Sequence, residues 1–285
     1  MRLPLSAKYD KPAYETLRKI RQQQAQIIEL MKMSMLQQQR ATCARAHDPQ
    51  RLLVHEHRTF SQHGEDGIIA EIFRRIGTTN KVFVEFGAGN GLENNTVALL
   101  CRGFTGFWIE GGTEQADAIR KNCAPFLESG AIRFKQAFVY PENIESLFGD
   151  LGVPEKPDLL SIDIDGNDYW VWQAITRFRP RVVVAEYNAN YPPDVSWIMK
   201  YNAKHAWNGG THYGASLLAL EKLGASKGYA LVGCDFTGVN AFFVLKEFAD
   251  KFAGPHTAAN HYEPPRSRIG TSQWSAPVLG EFVSE

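Results

Sequence analysis

Val82-Phe83-Val84-Glu85-Phe86-Gly87-Ala88-Gly89-Asn90-Gly91 carries an apolar strand straight into a glycine-rich turn. Glycines there let the backbone turn tightly and let a ligand approach it closely. Outward from this stretch, apolar strands alternate with amphipathic helices, as an α/β fold requires. The strand candidates are Lys81–Phe86, Thr105–Glu110, Ile132–Phe138, Asp158–Asp163, Arg181–Tyr187, Tyr229–Gly233 and Ala241–Leu245. Helices fill the gaps at Asp66–Ile76, Asn94–Arg102, Thr113–Cys123, Pro141–Phe148, Asp168–Arg177 and Ala215–Gly224. Only Cys234–Asn240 separates the last two strands, which suits an antiparallel pair at the end of the sheet.

The glycine spacing separates the candidate ligands. Dinucleotide folds use G-x-G-x-x-G, with a helix N-terminus facing a pyrophosphate. Here the spacing is G-x-G-x-G, and Glu85 stands two positions before the first glycine. A carboxylate there repels pyrophosphate and suits a cationic ligand. S-adenosylmethionine, with its sulfonium and ammonium, is such a ligand. A loop without a ligand and an NAD-dependent oxidoreductase on a similar sheet are the rival readings, and the spacing disfavours the second. Phe107-Trp108-Ile109-Glu110 ends the next strand in an acid 23 residues after Gly87, where a carboxylate accepts hydrogen bonds from ribose hydroxyls. Phe138 to Asn143, at the third strand's end, are expected to flank an adenine.

The fourth strand also ends in acids. Leu159-Leu160-Ser161-Ile162-Asp163-Ile164-Asp165-Gly166-Asn167-Asp168 puts three carboxylates within six residues, where like charges repel unless a cation or a proton relieves them. Val184-Ala185-Glu186-Tyr187-Asn188 ends the fifth strand similarly. In open α/β sheets ligands bind outside the carboxyl ends of strands, so Asp163, Asp165, Glu186 and Asn188 share one rim. They suit a general base acting on a hydroxyl, or an oxygen site for Mg²⁺ or another divalent cation at Asp163, Glu186 and Asn188. Alternatively, Asp168 caps the following helix and Asp165 shapes the turn. The segment Tyr187 to Tyr213 mixes Trp197, Tyr201 and Trp207 with His205 and His212, a composition that suits sugar-like acceptors or a packed lid. His212, just before a helix start, is the preferred histidine base.

The charges of the 285 residues cancel, with 31 basic and 31 acidic side chains, but they are not evenly spread. Residues 1–58 hold 11 basic and 5 acidic side chains, leaving 20 and 26 for the remainder. A basic extension therefore precedes an acidic body, which argues against a nucleic-acid binder in the body. Residues 12–40 read as one long helix, with Pro12 at its first turn and Leu17, Ile20, Ile27 and Met31 in heptad spacing, interrupted by Gln24 and Ser34. Such a seam fits packing against the body or a second subunit. Arg40 to Arg58 reads as a connector whose histidines lie on the surface. No apolar run has the length of a membrane span or a signal peptide, which points to the cytoplasm. Cys43, Cys101, Cys123 and Cys234 show no metal-ligand spacing and read as reduced thiols, Cys101 in the core.

The ordered set of motifs resembles the FkbM-type S-adenosylmethionine-dependent methyltransferases, and more narrowly a bacterial branch of them. The pieces are Ser61-Gln62-His63-Gly64-Glu65-Asp66-Gly67, Phe83-Val84-Glu85-Phe86-Gly87, Asn95-Thr96 and Trp108-Ile109-Glu110, then Ser161 to Asp168, Glu186-Tyr187-Asn188, Gly214-Ala215-Ser216-Leu217, Gly228-Tyr229 and Asn240-Ala241-Phe242-Phe243-Val244. The resemblance covers about residues 59–247. It implies a class I methyltransferase-like three-layer α/β sandwich, with a mostly parallel seven-stranded sheet and an antiparallel C-terminal strand. It also implies O-methylation of hydroxyls on small molecules, sugars or glycans. Glu85, Gly87, Gly89, Asn95, Glu110 and Asp163 would bind the cofactor; Asp163, Asp165 and His212 would serve catalysis. The expected organisation is a helical extension at 1–58, the methyltransferase domain at 59–253 and an irregular tail at 254–285. The helix is the candidate contact in a homo-oligomer. A cofactor-binding scaffold without turnover is the non-enzymatic alternative.

Overall fold

The structure is a computed structural model that describes residues 11–266, 278 and 280–284, with the side chains of 11–13 excepted. The described residues fall into two compact units: residues 11–43, and a sheet-bearing unit formed by residues 44–266, 278 and 280–284. The first is a single helix, α1 (Lys11–Thr42), whose Leu17, Ile20, Ile27 and Met31 are exposed. Among the described residues no helix is long and apolar enough to cross a membrane.

Among the described residues the main sheet of the second unit has seven strands: β1 (Val82–Phe86), β2 (Thr105–Glu110), β3 (Ile132–Gln136), β4 (Leu159–Ile162), β5 (Val182–Glu186), β6 (Tyr229–Cys234) and β7 (Asn240–Leu245). Their order is β3-β2-β1-β4-β5-β7-β6, with β7 alone running against the other six. This is the expected class I methyltransferase-like sandwich. Side chains alternate between the faces of each strand. Phe83, Trp108, Leu159, Val182 and Phe242 enter one core cluster, with Ile68, Ile69 and Ile72 of α2 (Glu65–Ile76). Val84, Ile109, Leu160, Val183 and Phe243 enter the other. That cluster is covered by α6 (Ile144–Leu151), α7 (Asp168–Ala174) and α8 (Leu217–Ser226). Between α2 and α6 in the chain come α3 (Val97–Leu100), α4 (Thr113–Asn122) and α5 (Ala124–Glu128).

Chain outside the sheet is tied down by long-range bonds. Leu52 and Leu53 are buried, so the stretch after residue 44 packs within this unit. Arg51 donates to the Asn260 carbonyl and side chain at 2.9 and 2.7 Å, anchoring α9 (Ala258–His261). The tail, expected to be irregular, thus contains a helical turn before residue 266; the 267–277 stretch lies outside the described residues. Cys101, expected in the core, is exposed, because α3 ends at Leu100. All four cysteines are free.

Asp158, fully buried just before β4, accepts from Thr79 N, Lys81 N and Arg181 Nη1 at 2.8–3.0 Å. Burial works against its ionisation, but the hydrogen bonds from Arg181, Thr79 and Lys81 outweigh it and hold the carboxyl below its ordinary value. Asp158→Ala should therefore cost about 3–5 kcal/mol in urea unfolding, since it strands Arg181 and two N–H groups. Because the folded value is depressed, the contribution is full above the unfolded value and is lost as pH falls through the folded one.

Candidate functional site

The strand order reverses between β1 and β4, the place where ligands bind in open sheets. Register brings the strand ends level there. Phe86 lies beside both Ile109 and Ile162, so Gly87, Glu110 and Asp163 leave the sheet together. Gly87 N donates to Ile109 O at 3.0 Å and Asp163 N to Phe86 O at 3.3 Å. Gly87 has φ +77°, and a Cβ on it would stand 1.5 Å from the Asp163 carbonyl oxygen. Gly89 has φ +54° and nothing within 4 Å of a would-be Cβ, an open cradle against the backbone. The cleft above this turn holds about 330 Å³ and is lined by the turn itself, Gln62, Glu65, Glu85, Glu93, Gln115, Asp163 and Asn240 among others. That volume suits a small ligand. No Lys, Arg or His is among its lining residues.

Glu85 lines the cleft but works mainly as an organiser of the loop. Its Oε2 accepts from Thr96 Oγ1 at 2.5 Å and Asn94 Nδ2 at 2.6 Å; its Oε1 accepts from Asn95 N at 2.9 Å. Burial pushes its carboxyl up, and these donors pull it back. Asn95, expected to touch the cofactor, is buried and donates from Nδ2 to Ser161 Oγ at 3.1 Å. Glu110 clamps the turn from the other side: Oε2 accepts from Gly89 N at 2.9 Å and Oε1 from Gly112 N at 2.7 Å. Each of its oxygens keeps a lone pair for a further donor. Phe138 is exposed, and its ring lies against Gly111 beside Glu110.

The acids of β4 and β5 converge as their spacing predicts. One carboxylate oxygen each from Asp163, Asp165 and Glu186 lies within 4.8 Å of the others. Burial drives Asp163 well above the usual carboxylate range, and Asp165, Asp168, Glu85 and Glu65 push it the same way. Asp165 is exposed and left-handed at φ 56°, an unusual conformation for a residue with a side chain. Asp168 holds that turn: Oδ1 accepts from Ile164 N and Oδ2 from Gly166 N, both at 2.8 Å. Its own carboxyl is pushed up to about 6, chiefly by burial.

Two predicted residues are engaged with other partners. Asn188, a candidate metal ligand, is fully buried with its amide engaged in holding loops. Its Nδ2 donates to Thr211 O and Tyr213 O, and its Oδ1 accepts from Asn190. His212, the preferred base, has its Nε2 3.1 Å from the Glu281 carbonyl and is not among the cleft's lining residues. His205 touches the acid-bearing turn. It packs on Gly166 and bonds to the Asp165 main chain, and burial lowers its pKa.

The motif Ser61 to Gly67 builds a hydrogen-bonded knot. Asp66 Oδ2 accepts from the amides of Thr59, Phe60 and Ser61, and Ser61 Oγ accepts from Asp66 N. This knot fixes the start of α2 and brings Gln62 and Glu65 to the cleft. Nothing local in the sequence announces that placement.

No protein-family model and no curated protein matches the sequence. Solved structures align with part of the chain. One is the C-terminal domain of precorrin-6Y C5,15-methyltransferase from Rhodobacter capsulatus, at 17% identity and a TM-score of 0.32; the match covers 42% of this chain and 61% of that one. Another is an S-adenosylmethionine-dependent methyltransferase from Clostridium acetobutylicum, at 13% identity and 0.40, covering 65% of this chain and 92% of that one. A third is the glycopeptide N-methyltransferase MtfA complexed with S-adenosyl-L-methionine, at 15% identity and 0.39, covering 64% and 94%.

Proposed function

We propose that this chain is an S-adenosylmethionine-dependent O-methyltransferase of the FkbM type, acting on a hydroxyl of a sugar, glycan or glycosylated natural product. The observation that carries the reading is the cleft at the switch point. Its floor is a glycine turn, and its walls hold Glu65, Glu85, Glu93 and Asp163 with no basic side chain. Such walls repel the phosphates of a dinucleotide and attract a nucleoside bearing a sulfonium.

When bound, S-adenosylmethionine supplies a methyl group for direct displacement by an acceptor oxygen. The residues of the chain orient the partners and take one proton. Gly87 and Gly89 let a nucleoside approach the backbone, and Glu110 offers its remaining lone pairs to ribose hydroxyls. Phe138 offers an aromatic face at the adenine end. Asp163 is the general base in this reading: it lines the cleft, and its raised pKa brings it toward the working pH. Asp165 and Glu186 stand beside it, suited to orient the acceptor's hydroxyls or to hold a divalent cation with Asp163. Trp207, exposed on the loop that carries His205, gives a sugar ring an aromatic surface.

Titration calorimetry tests the cofactor assignment. Glu110→Ala should weaken S-adenosylmethionine binding by about 10- to 100-fold while the protein still melts cooperatively. Undiminished affinity would remove Glu110 from the cofactor site.

A further inference from the structure

Glu85 has its Oε2 filled by two donors, so a cofactor ammonium in this cleft needs another partner. One lies in the same cleft. Glu65 opens α2 and is 1% exposed. Its Oε2 accepts from His63 N and its Oε1 from Asn240 Nδ2, both at 2.8 Å. Asn240 opens β7, is 3% exposed and lines the cleft, and its Oδ1 is buried without a hydrogen-bond partner.

A buried acceptor without a donor is costly, and the cleft lining includes no Lys, Arg or His to relieve it. A ligand N–H would relieve it. An uncommitted amide oxygen beside a buried carboxylate matches one group especially well: a primary ammonium, with one positive charge and three donors. We propose that Glu65 and Asn240 together bind the ammonium of the cofactor's methionine portion. This inference rests on the cofactor reading above and extends it to a pair 175 residues apart in the chain.

The test is a thermodynamic cycle between one group on the ligand and one on the protein. Calorimetry on the full chain compares S-adenosylhomocysteine, its desamino analogue and 5′-methylthioadenosine, each with the wild type and Glu65→Gln. Loss of the amino group should weaken binding to the wild type about 10- to 100-fold. Glu65→Gln should weaken S-adenosylhomocysteine by a similar factor and leave the desamino analogue within about twofold, so that the two changes are not additive. Equal binding of S-adenosylhomocysteine and its desamino analogue to the wild type would overturn the proposal, and this comparison stands even if the variant does not fold. Equal losses for both ligands on Glu65→Gln would also overturn it, as would no loss for either, the pattern of a pair that serves the fold or an acceptor amine. If methylthioadenosine also fails to bind the wild type, the cofactor reading itself falls, and this proposal with it.

Discussion

Asp163→Asn should lower kcat for methyl transfer by about 10²- to 10⁴-fold, the usual contribution of a positioned general base. The same change should not cost stability. Asp163 sits among Asp165, Asp168, Glu85 and Glu65, all of which disfavour its charge, so a neutral side chain relieves repulsion and the melting temperature should hold or rise. A residue that matters only for folding would show the opposite pattern. The pH profile gives a second check. A base acts as the carboxylate, and burial raises the pKa of Asp163. In the wild type kcat/KM should therefore climb with pH through a limb above the ordinary carboxylate range. If Asp163→Asn kept both the rate and that limb, Asp163 would not be the base.

The glycine turn yields the second large effect, as a contrast between neighbours. Gly87→Ala would place a methyl group 1.5 Å from the Asp163 carbonyl at φ +77°, and neither backbone can yield without parting β1 from β4. The expected loss is at least about 3 kcal/mol of stability, measured by chemical unfolding, together with cofactor binding. Gly89→Ala meets nothing within 4 Å in the protein, so it should cost only about 1–2 kcal/mol for its positive φ. Its methyl group would project into the cradle. Binding of S-adenosylmethionine should fall at least tenfold in a protein that still folds. Intact binding in a folded Gly89→Ala protein would mean that the ligand does not approach the turn.

The sheet was legible because most of its strands are short apolar runs, several of them ending in glycine or acid. Thr105–Glu110 is observed as expected, and the other six strands agree to within one or two residues at each end. The convergence of Asp163, Asp165 and Glu186 was legible for a related reason: acids at the ends of adjacent strands must share a rim. The helices after the turn were less so. The stretch from Asn94 was expected to be helical, yet α3 starts only at Val97, because Asn94, Asn95 and Thr96 all donate to Glu85. The helix expected over Thr113–Cys123 is observed as α4 (Thr113–Asn122), but the further turn α5 that follows it, with Pro125 at its start, is not anticipated.

What stayed hidden depends on contacts between distant segments. Asn240 reaches the cleft because β7 pairs antiparallel with β5, which sets it opposite Glu186. Glu65 reaches it because Asp66 knots the chain before α2. Arg51 and Asn260 meet across 209 residues. His212 looked like a base from its place before a helix, but its Nε2 faces the carbonyl of Glu281 in a segment 69 residues away.

A crystal structure of the full chain with S-adenosylhomocysteine tests the central claim most directly. The account predicts adenosine lying over Gly87–Gly91, the ribose hydroxyls on Glu110 and the sulfur directed toward Asp163. An empty cleft under saturating ligand, or adenosine bound elsewhere on the protein, would contradict it.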